Sequence, residues 1–148
     1  MNAIFSPLSL ASLSILLTMG ALAYSFRQGQ GSQLSRKGLL LTTGPGLLML
    51  VAFYSLAIHM NSQLGGWPKF NGERGLPQQV IMHADIATGF FGVILLAALA
   101  MPLVIGAFAS APKLRAKLVY PALCGSACWL CLFLTAFAPS GFLNWWWD

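Results

Sequence analysis

The stretch VIMHADIATGFFGVILLAALAMPLVIGAFA, residues 80–109, decides the fold: it runs for thirty positions with one charge, Asp85. About 20 apolar residues suffice to cross a hydrocarbon core about 30 Å thick. The surplus lets this helix tilt, or carry its first turns, with His83 and Asp85, into the headgroup zone. Working outward, three more stretches are apolar enough to cross, at 4–26, 39–60 and 118–138, and the clusters of charge fall between them. The expected fold is therefore all-α: an integral membrane up-and-down four-helix bundle, one domain spanning residues 1–148. The composition agrees. Of the 148 residues 57% are hydrophobic and 7% charged, with a mean hydropathy of +0.75, whereas soluble domains carry about a quarter charged residues.

Basic residues in short loops mark the side of insertion. Arg27, Arg36 and Lys37 follow the first helix, and Lys113, Arg115 and Lys117 follow the third, so six of the eight basic residues share one side. The net charge of +5 is thus a topology signal and not a nucleic-acid footprint. Both termini and the 61–79 loop are expected on the opposite, luminal or periplasmic, side of a thylakoid or plasma membrane. Ala21-Leu22-Ala23 resembles a signal-cleavage site, but a secretory signal has its charge before the apolar run. Here the first charge, Arg27, comes after it, so the first helix reads as uncleaved, with Pro7 in its first turn.

Gly29, Gly31 and Ser32 loosen the first connection, and Ala111-Pro112 ends the third helix. The 61–79 loop holds Gly65-Gly66, Trp67, Pro68, Phe70, Gly72, Gly75 and Pro77, a composition suited to a folded cap. Pro77 is expected at the first position of the third helix.

Three features bear on chemistry. His59 and His83, the only histidines, fall near the same end of the bundle. Imidazole is a standard haem ligand, and bundle sites are built from side chains on facing helices. Both histidines are therefore candidate cofactor-binding residues, for haem b or chlorophyll. Helices packed about 8–10 Å apart leave little room for a macrocycle between them unless they splay, and a single ligand avoids the difficulty. Copper binding, proton transfer, and plain hydrogen bonding to headgroups, loop backbone or Asp85 are the alternatives. The neighbouring Met60 and Met82 would join a His/Met site only if the helices unwound, since adjacent residues do not share a face.

Asp85 is the second feature, expected to anchor the helix dipole or the loop through Lys69 or Arg74. Cys124, Cys128 and Cys131 are the third. Their spacing matches that of radical cluster enzymes, but along an apolar helix they read as small packing residues, assisted by Gly125, Ser126 and Ala127. Gly44-Pro45-Gly46 reads as a kink or a point of close approach, and Gly89, Gly92 and Gly106 as further packing positions. Trp145, Trp146 and Trp147 are expected as an interfacial anchor or partner contact. With no Ser/His/Asp set, phosphate loop or H-E-x-x-H, the chain reads as a non-enzyme.

Phe5-Ser6-Pro7 opening an apolar helix, the short basic turn, a third helix entered through His83 and Gly89, and the aromatic residues closing the fourth together resemble a known group. They are similar to the small four-helix membrane proteins of cyanobacteria and plastids grouped with the b-type, two-haem membrane cytochromes. That family places further histidines before the first proline and at the starts of the second and fourth helices. This chain has Ser6, Arg36-Lys37-Gly38 and Val119-Tyr120 there. With no histidine on the inner side, a two-haem arrangement is excluded, and one outer haem or chlorophyll, or no cofactor, remains. Two functions follow as expectations. One is an accessory subunit of a larger photosynthetic or respiratory membrane complex, with the lipid bilayer and that complex as partners and a pigment as candidate cargo. The other is a single-haem electron-transfer protein with His59 and His83 as ligands.

Overall fold

The computed structural model describes residues 7–67 and 76–147, with side chains from Ser9 onward. Among these residues the backbone forms six α-helices, α1 Pro7–Arg27, α2 Arg36–Leu64, α3 Gln78–Ser110, α4 Pro112–Arg115, α5 Val119–Thr135 and α6 Ser140–Trp147, and a short 3-10 helix, Gln30–Gln33. No strand occurs among the described residues. Helices α1, α2 and α3 are each long and apolar enough to cross a membrane, and α5 with α6 makes a fourth candidate only when the bent pair is taken together.

Local chemistry sets the boundaries. Ser35 caps α2, its hydroxyl accepting from the Gly38 amide at 3.0 Å, which starts the helix three residues before the expected 39. At the far end Gly65 closes α2 with φ 65°, the left-handed C-cap that glycine adopts without strain. Pro77 stands one residue before α3 and not within it. Its carbonyl accepts from the Val80 and Ile81 amides, and its own missing N–H costs nothing there.

The expected fourth helix, 118–138, forms as α5 but ends three residues early, and a further helix follows it. Ala136, Phe137 and Ala138 each donate to a carbonyl three residues back, the tightened turn that ends many helices. Pro139 then bars continuation, and α6 leaves at 111° to α5.

The packing order also departs from a bundle of sequential neighbours. Helices α3 and α5 touch each other, and each touches both α1 and α2, but α1 and α2 do not pack along one another. The connection between them explains this. Gln30 is buried, its side-chain amide donates to the Arg115 carbonyl at 3.1 Å, and its Oε1 accepts from the Val119 amide at 3.2 Å. Tyr120 donates its hydroxyl to the Gln33 carbonyl. The chain is thus tied across the start of α5 before α2 begins on the far side.

The main core is a stripe on α2, Met49, Phe53, Leu56 and Met60, set against Val80, Ala87, Ile94 and Ala98 of α3 and Cys128 and Cys131 of α5. All three cysteines are free thiols. Gly46 lets α5 close in, since a Cβ there would stand 3.0 Å from Cys131 Sγ. Helix α2 continues through Pro45. By contrast, Gly89, Gly92 and Gly106 have nothing within 4 Å of a Cβ position, so none of the described residues packs against them. Leu40, Leu41, Val93, Leu96 and Leu103 are exposed, a surface suited to lipid and not to water.

Pro102 sits inside α3 and deprives the Ala98 carbonyl of its amide partner. Ser14 of α1 fills the gap, its hydroxyl donating to Ala98 O at 2.8 Å, and Trp129 Nε1 of α5 donates to Ser14 Oγ at 3.1 Å. One hydrogen-bonded chain therefore ties α1, α3 and α5 around a backbone group that apolar surroundings would otherwise leave unpaired.

Candidate functional site: a histidine pair and its relay

Ser55 and His59 lie one turn apart on α2, and His83, six residues into α3, faces them. The Nδ1 atoms of His59 and His83 are 3.1 Å apart, with ring centroids 5.3 Å apart and planes inclined at 38°. The difference between these two distances is about one ring radius on each side, so the two nitrogens point head-on at one another. That is the geometry of a hydrogen bond. Two lone pairs converging on a shared metal would bring the rings closer for the same nitrogen separation.

The relay has a direction. Ser55 donates its hydroxyl to the Ala52 carbonyl at 3.0 Å, so toward His83 Nε2, 3.0 Å away, its oxygen accepts. A neutral imidazole carries one donor and one acceptor. His83 therefore donates from Nε2 and accepts at Nδ1, and His59 donates from Nδ1, tautomers assigned from the network. His59 Nε2 is left with its lone pair. It has no hydrogen-bond partner among the described residues, and it is not among the buried unpaired atoms, Ser25 Oγ and Ser126 Oγ, so it reaches the surface.

Both histidines expected as cofactor ligands are thus brought together, but they are not equivalent. His83 has both ring nitrogens engaged, and only His59 offers a free one. Ser55 was the residue that sequence reasoning missed; its signal was the four-residue spacing to His59. Met60 is buried in the core and Met82 is exposed, so no joint His/Met site forms. Among the described residues no cluster of three or more His, Cys, Asp or Glu side chains could hold a metal.

Asp85 is the eighth residue of α3 and exposed. The helix dipole acts within the first turn, so the expected dipole role is not available to it. It makes no hydrogen bond or ion pair among the described residues, and Lys69 and Arg74 lie outside them. Nor does it meet the histidines: two residues on from His83, it points away from α2.

The tryptophan tail folds back as α6. Phe142, fully buried, lies 5.1 Å from Phe53, and Trp146 lies 5.0 Å from Phe53 and 5.8 Å from Phe91. Trp67 sits on Gly141 and Phe142. Trp145 and Trp146 are half-buried in this aromatic cap, and Trp147, 64% exposed, meets it edge-on at Phe91, 5.6 Å away.

No protein-family model matches the chain, and neither a curated protein sequence nor a solved structure is similar to it.

Proposed function

We propose that this chain is a small integral membrane protein that holds one tetrapyrrole, haem b or chlorophyll, through His59 Nε2 at its outer face. In this reading it catalyses no reaction of its own and serves as an accessory subunit of a photosynthetic or respiratory electron-transfer complex. The single observation that carries the proposal is the relay His59–His83–Ser55–Ala52, which leaves one imidazole nitrogen, His59 Nε2, free. A coordinating histidine usually donates its other N–H to a fixed acceptor, which sets its tautomer and ring orientation, and His83 supplies that acceptor at 3.1 Å. Ligation by both histidines does not fit this arrangement, because it would require breaking the contact and splaying α2 from α3.

When bound, haem would supply one-electron transfer and chlorophyll light absorption. The protein's part is to orient His59, with His83 as its positioning partner and Ser55 anchoring His83 to the backbone. The six basic residues at the opposite end support an outer location for the pair. The open glycines of α3, Gly89, Gly92 and Gly106, support an accessory role, since small residues let a neighbouring helix approach closely. Kinship with the b-type cytochrome group is part of the same proposal and rests on His83, acting here through His59.

The test is the purified protein itself. A Soret band that His59→Ala abolishes, together with migration in a large complex on a native gel, is expected. A colourless, correctly folded preparation that takes up no haemin would overturn the cofactor assignment, and migration as a lone small protein in mild detergent would overturn the accessory role.

A further inference from the structure

At the basic end of the molecule two open cavities meet. One, of about 500 Å³, is an apolar groove lined by Leu16, Leu17, Gly20 and Ala21 of α1 and Ile105 of α3. The other, of about 340 Å³, is a polar chamber lined by Gln28, Gln33 and Pro112. Tyr24 and Arg115 line both, so they stand where the groove opens into the chamber. From Tyr24 back to Leu16 the groove follows α1 for about 12 Å of helical rise, leading away from the charged end. In a membrane this places polar groups at the headgroup level and an apolar channel beneath them, running toward the bilayer centre.

Arg115 is prepared for an anion. Its Nε donates to the Ala109 carbonyl at 3.0 Å, one of the last carbonyls of α3, which basic side chains commonly satisfy. That bond fixes the guanidinium, while its Nη–H groups have no partner among the described residues. The Tyr24 hydroxyl and the side-chain amides of Gln28 and Gln33 are likewise unpaired among the described residues, and all four side chains are exposed. No acid offsets the charge. Asp85, the only acid among the described residues, lies about 36 Å from Ala109 along α3 at the rise of an α-helix.

We infer that this site binds one anionic phospholipid, its headgroup phosphate held by the Arg115 guanidinium and the Tyr24 hydroxyl, and one acyl chain laid in the α1–α3 groove. Charge selects the headgroup. A guanidinium with no neighbouring carboxylate complements a net-negative lipid, whereas the trimethylammonium of phosphatidylcholine would bring a second cation beside Arg115. The groove selects a lipid over a free anion, because only a lipid fills both cavities at once. The inference rests on the membrane reading above but not on ligation by His59.

The experiment is native mass spectrometry of the full chain, delipidated in mild detergent and titrated with dioleoyl phosphatidylglycerol, with phosphatidylcholine of the same chains, or with glycerol phosphate, which carries the anion without a chain. A one-to-one complex with phosphatidylglycerol is expected, about 5-fold weaker binding of phosphatidylcholine, and no complex with glycerol phosphate. Arg115→Gln should weaken phosphatidylglycerol about 10-fold by loss of a charge-assisted hydrogen bond. Tyr24→Phe, which removes only one exposed hydroxyl and leaves the Arg115–Ala109 bond in place, should weaken it about 3-fold. Lys37→Gln, equally basic but on α2 and lining neither cavity, should leave it unchanged. Equal binding of phosphatidylcholine, the behaviour of a plain acyl-chain groove, would overturn the assignment. So would capture of glycerol phosphate as tightly as the lipid, equal losses in Lys37→Gln and Arg115→Gln, or no loss in either Arg115→Gln or Tyr24→Phe. The protein should also resist carbonate extraction from membranes; release would overturn the membrane reading and this inference with it, whereas the lipid outcomes bear on this inference alone.

Discussion

Replacing Ser14 by alanine removes the one hydroxyl between Trp129 Nε1 and the Ala98 carbonyl. Both groups are then left without a partner, because Pro102 supplies no amide to Ala98. In water-soluble cores each unsatisfied group would cost about 1–3 kcal/mol. In a bilayer a single interhelical hydrogen bond averages about 0.6 and reaches about 1.7 kcal/mol, because side chains of the unfolded chain in the membrane also find partners. Two bonds lost at once give an expected destabilisation of about 1–3 kcal/mol. The cause can be isolated with Pro102→Ala, which restores an amide to Ala98. In that background Ser14→Ala should cost less by the value of one bond, a coupling of about 0.6–1.7 kcal/mol. The assay is unfolding in mixed micelles by increasing dodecyl sulfate, followed by circular dichroism, for wild type, both single variants and the double variant. A neutral Ser14→Ala, or a cycle additive within about 0.5 kcal/mol, would refute the idea that Ser14 repairs the proline-broken helix.

Two further outcomes follow from the packing. Gly125→Ala places a Cβ 2.6 Å from both Met101 Cγ and Thr18 Cγ2 and should destabilise by about 1–3 kcal/mol through overpacking. Gly106→Ala, with nothing within 4 Å, should stay within about 0.5 kcal/mol; the same unfolding assay compares them. Phe142→Ala empties the fully buried centre of the aromatic cap, so it should cost about 3–5 kcal/mol or release α6, seen as a red shift of tryptophan emission as Trp145 and Trp146 gain solvent.

The long helices were legible because charge is confined to their ends: Arg27, Arg36 and Lys37 bracket one turn and Lys113, Arg115 and Lys117 another. That His59 and His83 lie near the same end followed from counting along α2 and α3. Their direct contact did not, because a helix that is apolar all round gives no sign of which face turns inward. The glycines suffered the same ambiguity: Gly46 and Gly125 meet neighbours, whereas Gly89 and Gly92 face open space. Pro102 announced an orphaned carbonyl at Ala98, but the hydroxyl that fills it is 84 positions away on α1 and is chosen by packing. The return of the tail as α6 turned on Pro139, a breaker that a hydropathy window averages away.

The central claim is that one histidine ligates and the other orients it, and visible absorption of the haemin-titrated protein tests this most directly. The account predicts a one-to-one Soret complex in the wild type, none in His59→Ala, and in His83→Ala a complex that still forms but is bound about 10- to 100-fold more weakly, the usual cost of losing a ligand's supporting hydrogen bond. Equal loss of the band in both variants would mean that both histidines ligate. An undiminished band in His59→Ala would contradict the account outright.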